Sequence, residues 1–148
     1  MKGNAKIFPC GLTLVEIMIV VAMIAIILAL ALPVYSNYMI RTKVGEALSI
    51  GKAAKTTIVE TCKSEYKIKP LNNSRAGYSF EDSIYINSID ISGHCTSPLI
   101  TITTQNTGAS IDPVLLLTGE FSPDSGEFSW TCTTINEQNN LVPDSCQN

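Results

Sequence analysis

The chain has 148 residues, a net charge of −3, a single histidine and only 16% charged residues. This length suits one modest domain with an additional segment rather than several domains. The basic residues form no clustered patch, which argues against a nucleic-acid-binding domain.

The N-terminal region contains a long apolar segment that carries one charge. Residues 1–11 are a short polar leader, in which Lys2 and Lys6 favour a cytoplasmic N-terminus. Residues 12–32 are nearly all apolar and carry one charge, Glu16. As a helix these about 21 residues would extend roughly 32 Å, enough to cross a bilayer. Because a carboxylate inside a membrane costs about 2.5–3.5 kcal/mol on insertion scales, Glu16 is a candidate functional residue.

Three interpretations of the apolar segment that give Glu16 no function also remain open. An ordinary membrane anchor explains its length but not Glu16. A cleaved secretory signal would be processed after Ala31, in the sequence Ala29-Leu30-Ala31, although the apolar run is long for such a signal. A buried helix of a soluble domain is the interpretation that fits so long a run least well.

A second, amphipathic stretch follows Pro33, which removes one helical hydrogen bond and predicts a kink rather than an end. We expect the helix to continue to about Tyr66, with one apolar stripe and with lysines largely off it. The predicted stripe consists of Tyr38, Ala47, Leu48, Gly51, Ala54, Ile58 and Cys62.

The rest of the chain predicts a β-sheet. Pro70 and the sequence Asn72-Asn73-Ser74, which is also a weak glycosylation sequon, end the helix and open a loop. The predicted strands are Ile84–Ile86, Ile89–Ile91, Leu99–Thr104, Val114–Thr118 and Glu127–Thr134. Turns at Asn106–Gly108 and Pro123–Gly126 are short, so the sheet should be antiparallel. We therefore expect an α+β fold, with the helix stripe packed on a sheet of about four strands.

Charge is distributed unevenly along this sequence. Basic residues outnumber acidic ones from Ser36 to Lys69, whereas Arg75 is the only basic residue from Pro70 onward. Such a division is compatible with head-to-tail packing between copies, and equally with two solvated faces that have no partner.

The cysteines predict disulfides in an oxidising compartment. Cys10 lies in the leader, and the remaining four, which allow three pairings, are Cys62, Cys95, Cys132 and Cys146. No C-x-x-C pair exists and His94 is the only histidine, so we discount a zinc site. We find no credible set of catalytic residues and no glycine-rich phosphate-binding loop, and therefore expect neither an enzyme nor a cofactor.

The segment Gly11-Leu12-Thr13-Leu14-Val15-Glu16-Ile17 resembles the class III signal of type IV prepilins. In that family a dedicated peptidase cuts after the glycine and methylates the new N-terminus, a glutamate stands at the fifth mature position, and a proline closes the apolar run. The resemblance implies cleavage between Gly11 and Leu12, N-methylation of Leu12, and assembly roles for Glu16 and Pro33. Further residues that resemble the start of a type IVa pilin's amphipathic helix are Tyr35, Asn37, Tyr38 and Arg41.

The chain departs from the usual type IVa pattern at two positions. Leu12 stands where most members begin with Phe, and Ala25 stands where many have Gly. Since both Leu and Phe are large and apolar, we expect processing to be retained.

The C-terminal region also resembles that of type IVa pilins, in which a Trp-x-Cys strand, a variable loop, a proline and a closing cysteine recur. Trp130-Thr131-Cys132 and Pro143–Cys146 match this pattern. The resemblance implies a disulfide between Cys132 and Cys146, which bounds a C-terminal loop of residues 132–146, and a second disulfide between Cys62 and Cys95. By loop-closure arithmetic these bridges would contribute about 3 and about 3.8 kcal/mol.

The resemblance implies a pilin fold in four regions: a leader (residues 1–11), a transmembrane and filament-core helix (12–33), its amphipathic continuation (34–69) and a globular β-sheet domain (70–148). In such a polymer Glu16 would neutralise the N-terminal amine of a neighbour's Leu12.

The function that the resemblance implies is that of a structural subunit of a type IV pilus, used for adhesion, twitching motility or DNA uptake. Its partners would be other copies, the prepilin peptidase, an inner-membrane assembly platform and minor pilins, and through the filament a host surface or DNA. It would reside in the inner membrane before assembly and in the extracellular filament afterwards. The alternatives are a type II secretion pseudopilin or a minor pilin, and, from another class, a secreted disulfide-stapled binding domain released after Ala31.

Overall fold

The structure is a computed structural model that divides into two compact units, Met1–Tyr35 and Ser36–Asn148. The residues it describes are 11–64, 70–81, 83–122, 125, 127–135 and 139–147. In chain order the elements are α1 (Leu14–Ser64), β1 (Ile86–His94), β2 (Ser97–Thr104), β3 (Val114–Ser122), β4 (Glu127–Thr134) and two short 3-10 helices, Asn139–Leu141 and Asp144–Cys146.

Within the second unit, α1 buries one stripe of small and β-branched side chains. The buried helical residues are Ile40, Val44, Ala47, Gly51, Ala54, Ile58 and Cys62. Their steps of three and four residues place them on one face of the helix. The stripe was predicted correctly from Ala47 to Cys62, but the prediction of Tyr38 was wrong, because that side chain is 65% exposed. The predicted helix end near Tyr66 lies outside the described residues.

The four strands form one antiparallel sheet in the order β1-β2-β3-β4. Alternate residues of β2 and β3 are buried, as expected for strands with one covered face. The core residues of this face include Ile89, Ile100, Ile102, Leu115 and Leu117, which pack in one cluster with the helix stripe. The predicted α+β architecture with a long helix on a four-stranded sheet is therefore confirmed.

A glycine allows the helix and the sheet to approach closely. A Cβ atom added at Gly51 would lie 2.5 Å from Ile102 Cδ1, which is closer than real Cβ contacts come. Since Ile102 is itself fully buried in the middle of β2, this side chain fills the space that the missing Cβ leaves.

Strand boundaries differ from the sequence prediction on the N-terminal side of the sheet. Ile84 and Tyr85 lie in a turn, and the two short predicted pieces are replaced by the single strand β1. The turn forms because Tyr85 O accepts a hydrogen bond from the Gln105 backbone at 3.0 Å and the Lys43 ammonium lies 5.1 Å from the Tyr85 ring centroid. Of the predicted Pro123–Gly126 turn, only Ser125 is described.

The loop after the helix covers the outer edge of β1 through one side chain. Asn73 Nδ2 donates to Ile89 O at 2.8 Å, and Asn73 Oδ1 accepts from the Ile91 backbone N–H at 2.7 Å. The Leu71 backbone N–H adds a bond to Gly93 O at 2.8 Å. These bonds satisfy backbone groups that an edge strand would otherwise leave open to another chain.

Candidate functional site

The helix begins with a reciprocal cap between Thr13 and Glu16. The Glu16 backbone N–H donates to Thr13 Oγ1 at 3.2 Å, and Glu16 Oε2 accepts from the Thr13 backbone N–H at 3.2 Å and from its hydroxyl at 3.1 Å. This is a capping box, in which two side chains satisfy backbone donors at the first turn. Sequence reasoning identified Glu16 but overlooked the Thr-x-x-Glu spacing, which is the signal for this cap.

The apolar side chains of the first unit are uncovered. Between residues 12 and 32 the exposed fraction of the large apolar side chains ranges from 48% at Ile17 to 75% at Leu12. Within the described ranges α1 is a helix long and apolar enough to cross a membrane, by length and composition. An apolar surface of this extent requires lipid or other apolar helices around it.

The residues implicated in processing lie just before the helix. Gly11 and Leu12 are both exposed and precede Leu14, the first helical residue. Exposed residues outside regular structure are the usual sites of proteolytic cleavage. Pro33 lies inside α1 and near the boundary between the two units. Leader residues such as Lys2, Lys6 and Cys10 lie outside the described residues.

The C-terminal loop is attached to the helix by Arg41. The Arg41 guanidinium donates to Asp144 Oδ1 at 2.9 Å and to Asn140 O at 3.0 Å. Val142, between these contacts, is completely buried. Because the Arg41 and Asp144 side chains are 38% and 85% exposed, water screens the ion pair and its contribution to stability is small. Sequence reasoning placed Arg41 on the helix but gave no signal for this long-range contact.

Two disulfides connect distant parts of the second unit, and they are the two pairs that the resemblance implies. Cys132 joins Cys146 with a Cα–Cα distance of 4.5 Å and closes the C-terminal loop on β4. Cys62 joins Cys95 at 5.5 Å and ties the end of α1 to the turn between β1 and β2. Both distances lie within the ordinary range for disulfides.

Two titratable side chains, one on α1 and one in the segment before β1, have shifted pKa values. Burial lowers the pKa of Lys55 below 10.5, and the nearby charge of Lys52 lowers it further. Burial also raises the pKa of the Tyr78 hydroxyl above 10.0. Each shift reports a side chain that the fold partly removes from water.

The described part of the chain offers no group of three or more His, Cys, Asp and Glu side chains that could hold a metal ion. His94 is exposed at the end of β1, next to the disulfide-bonded Cys95.

Comparison with known proteins gives one consistent family. A family model described as pilin (bacterial filament) matches residues 40–147. The fimbrial protein EcpC of Eikenella corrodens is 34% identical over 142 residues, which cover 93% of this chain and 90% of that protein.

Two further relatives match a smaller part of the chain. The type IV major pilin protein PilE of Neisseria gonorrhoeae is 38% identical over 74 residues, or 50% of this chain and 44% of that protein. The type IV major fimbrial protein FimA of Dichelobacter nodosus is 46% identical over 50 residues, or 34% of this chain and 31% of that protein. These two matches span less than half the length of the relatives.

Proposed function

The chain belongs to the type IV pilin family, and we propose that it polymerises through its N-terminal helix into a surface filament. The observation that carries this proposal is the uncovered apolar surface of residues 12–32, which contains one carboxylate, Glu16. In a membrane this surface faces lipid, and in a filament it faces the same segment of other copies. We assign the chain a structural role and no catalytic one.

Assembly requires a free N-terminus at the start of the helix. We propose that a prepilin peptidase cuts between Gly11 and Leu12 and methylates Leu12. Cleavage there leaves Thr13 in place, so the cap with Glu16 is retained in the mature chain. The new amine then lies within one helical turn of the carboxylate.

The cap also prepares Glu16 for a second partner. Thr13 occupies only Oε2 of the carboxylate, which leaves Oε1 for the amine of a neighbour's Leu12. An ionised pair in apolar surroundings is sensitive to geometry, because removal of either charge leaves the other unpaired. This pair would set the axial register between subunits, and a contact of this head-to-tail type generates an open helical filament. Pro33 would act at the other end of the apolar segment by loosening the helix there.

The proposed route places the subunit in the inner membrane, with the N-terminus in the cytoplasm, until an assembly platform and minor pilins transfer it to the extracellular filament. The C-terminal loop, which the Cys132–Cys146 disulfide closes and which Arg41 contacts at Asp144, is the part we propose to contact a receptor. Adhesion, twitching motility and DNA uptake are the functions that such a filament would serve.

The first experiment is the intact mass and N-terminal peptide of the protein from the native cell envelope. We expect a chain that begins with N-methylated Leu12. A chain that begins at Leu32 would instead identify an exported soluble domain, and the filament proposal would be wrong.

The second experiment separates the charge of Glu16 from its capping role. Glu16→Gln keeps an acceptor oxygen for Thr13 but removes the charge, whereas Thr13→Val removes the two hydroxyl contacts of the cap and keeps the charge. We expect Glu16→Gln to be processed and inserted but to form no filaments by electron microscopy, and Thr13→Val to form them. Normal filaments from Glu16→Gln would refute the amine–carboxylate pair.

A further inference from the structure

The two flanks of α1 in the second unit present different charges. Lys43 lies on the same side as Glu46, but its ammonium donates to Thr107 O at 2.8 Å. At 3.6 residues per turn, Glu46, Ile50 and Ala53 lie on one side of the buried stripe. Lys52, Lys55 and Lys63 lie on the other side. The first flank faces the β1 edge of the sheet and the second faces the β4 edge, which are the two outer edges of the sheet order.

A concave and largely apolar groove lies along the flank at the β1 edge, and we call it the acidic groove because two glutamates line it. It has a volume of about 570 Å³ and lies between the helix and residues 78–81, 83 and 84. Tyr78, Phe80 and Ile84 form its wall, and Ile84 is 72% exposed. The Glu46 and Glu81 carboxylates also line it, and no ion pair is found for either one within the described ranges.

The flank at the β4 edge, here called the basic cleft, combines aromatic rings with lysines. Its volume is about 270 Å³, and Val59, Phe128 and Trp130 line it together with Lys63 and Glu127. The Lys55 ammonium lies 5.2 Å from the Trp130 ring centroid. Among the residues with described positions, no carboxylate lies within ion-pair distance of the three lysines of this flank.

We propose that the basic cleft of one subunit binds the acidic groove of a neighbouring copy in the filament. This inference rests on the proposed function and names a contact between globular units in addition to the helix core. The two carboxylates and the three ammonium groups are complementary in sign, and among the described residues none of them has an ion-pair partner. Each set lies beside apolar side chains that the contact would cover. Because the two surfaces lie on opposite edges of one sheet, the contact is heterologous and repeats without closing into a dimer.

The test exchanges the charges of the two surfaces in the full-length chain, expressed in a cell that assembles its filaments. The basic-cleft variant is K52E/K55E/K63E, the acidic-groove variant is E46K/E81K, and the third variant combines all five substitutions. Glu and Lys are both good helix formers, so the helical changes retain the helix propensity of α1. Like charges across an interface cost several kcal/mol, and we therefore expect each separate variant to lower the yield of sheared filaments about tenfold or more. The combined variant, in which every contact again pairs opposite charges, should recover most of the yield.

The matched control reverses two acidic residues elsewhere. Asp90 and Glu120 are exposed on the opposite face of the sheet, and D90K/E120K should leave the filament yield unchanged. Processing at Leu12 and intact disulfides, measured by mass on the membrane fraction, show that each variant has folded and inserted.

Three outcomes would overturn the inference. These are wild-type filament yield from either separate variant, failure of the combined variant to recover, and an equal loss in the control. Carbodiimide cross-linking of intact wild-type filaments gives an independent measurement, in which we expect links between Lys63 or Lys52 and Glu46 or Glu81. Absence of filaments from the wild-type chain would instead refute the proposed function, and this inference with it.

Discussion

Gly119 tests how closely the rings of Pro98 and Trp130 pack against the backbone of β3. It lies in β3 opposite Trp130 of β4. A Cβ atom at Gly119 would lie 2.7 Å from Pro98 Cγ and 3.0 and 3.1 Å from two atoms of the Trp130 indole. Both neighbours are rigid rings, so neither can give way by a simple rotation of a terminal group.

The expected effect of Gly119→Ala is the difference between two terms. Overpacking a filled site costs about 1–3 kcal/mol. Alanine also reduces the conformational freedom of the unfolded chain, which stabilises the folded state by about 0.4–1 kcal/mol. We therefore expect the variant to lose about 1–2 kcal/mol of unfolding free energy, which is a substantial part of a typical total of about 5–15 kcal/mol.

The assay is guanidinium unfolding of the full chain in detergent micelles with the disulfides intact. Trp130 is the only tryptophan, so its fluorescence reports the site directly. The matched control is Gly45→Ala in α1, where an added Cβ meets no atom within 4 Å. This change should raise stability by about 0.5–1 kcal/mol, because alanine is the better helix former. A Gly119→Ala variant as stable as the wild type would show that the rings are not packed as described.

Three further predictions concern single contacts. Asn73→Ala leaves the Ile91 backbone N–H without its partner and should lower the free energy of unfolding by about 1–3 kcal/mol. Hydrogen exchange in β1 should become faster, and an unchanged rate would contradict the proposed covering of this edge. Arg41→Ala removes the exposed pair with Asp144 and should cost less than about 1 kcal/mol while hydrogen exchange in the C-terminal loop becomes faster, and a slower rate would refute the clamp. The lowered pKa of Lys55 means that the folded chain binds fewer protons than the unfolded chain below pH 10.5, so stability should rise with pH as it approaches that value. Lys55→Met should flatten this rise relative to the wild type, and a pH profile identical to that of the wild type would contradict the assignment.

The elements of regular structure were predictable because each has a short repeat. The three- and four-residue steps of the helix stripe and the alternation in β2 and β3 are visible in the sequence, since they arise from the periods of helix and strand. The strand boundary at Ile86 was not predictable, because Ile84 and Tyr85 have good strand propensity and are held in a turn by Gln105 and Lys43, which are distant in sequence.

The side-chain contacts of the candidate site were likewise predictable only where the two partners are close in sequence. The Thr13–Glu16 cap has a local spacing and could have been recognised. Arg41 and Asp144 are separated by 103 positions, and no local pattern connects them. The sequence places Asn73 in the loop that follows the helix. Its hydrogen bonds to β1 could not be predicted, because they depend on where the fold positions the edge of that strand. The acidic groove also depends on the fold, because the helix and the segment that line it meet only in three dimensions.

The proposed filament requires that subunits leave the membrane without a large barrier, and the composition of the first unit is consistent with this. Moving an apolar helix from lipid into a bundle of similar helices changes its hydrophobic burial little, because lipid tails are already apolar. The free energy of assembly must then come from packing and from the few charged contacts. In the proposed filament the Glu16 contact would lie within the apolar segment, and the contact between the basic cleft and the acidic groove would lie outside it, where salt screens the attraction. If filaments lose stability at high salt but keep their axial repeat, then the globular contact determines how strongly subunits bind, and Glu16 determines their axial register.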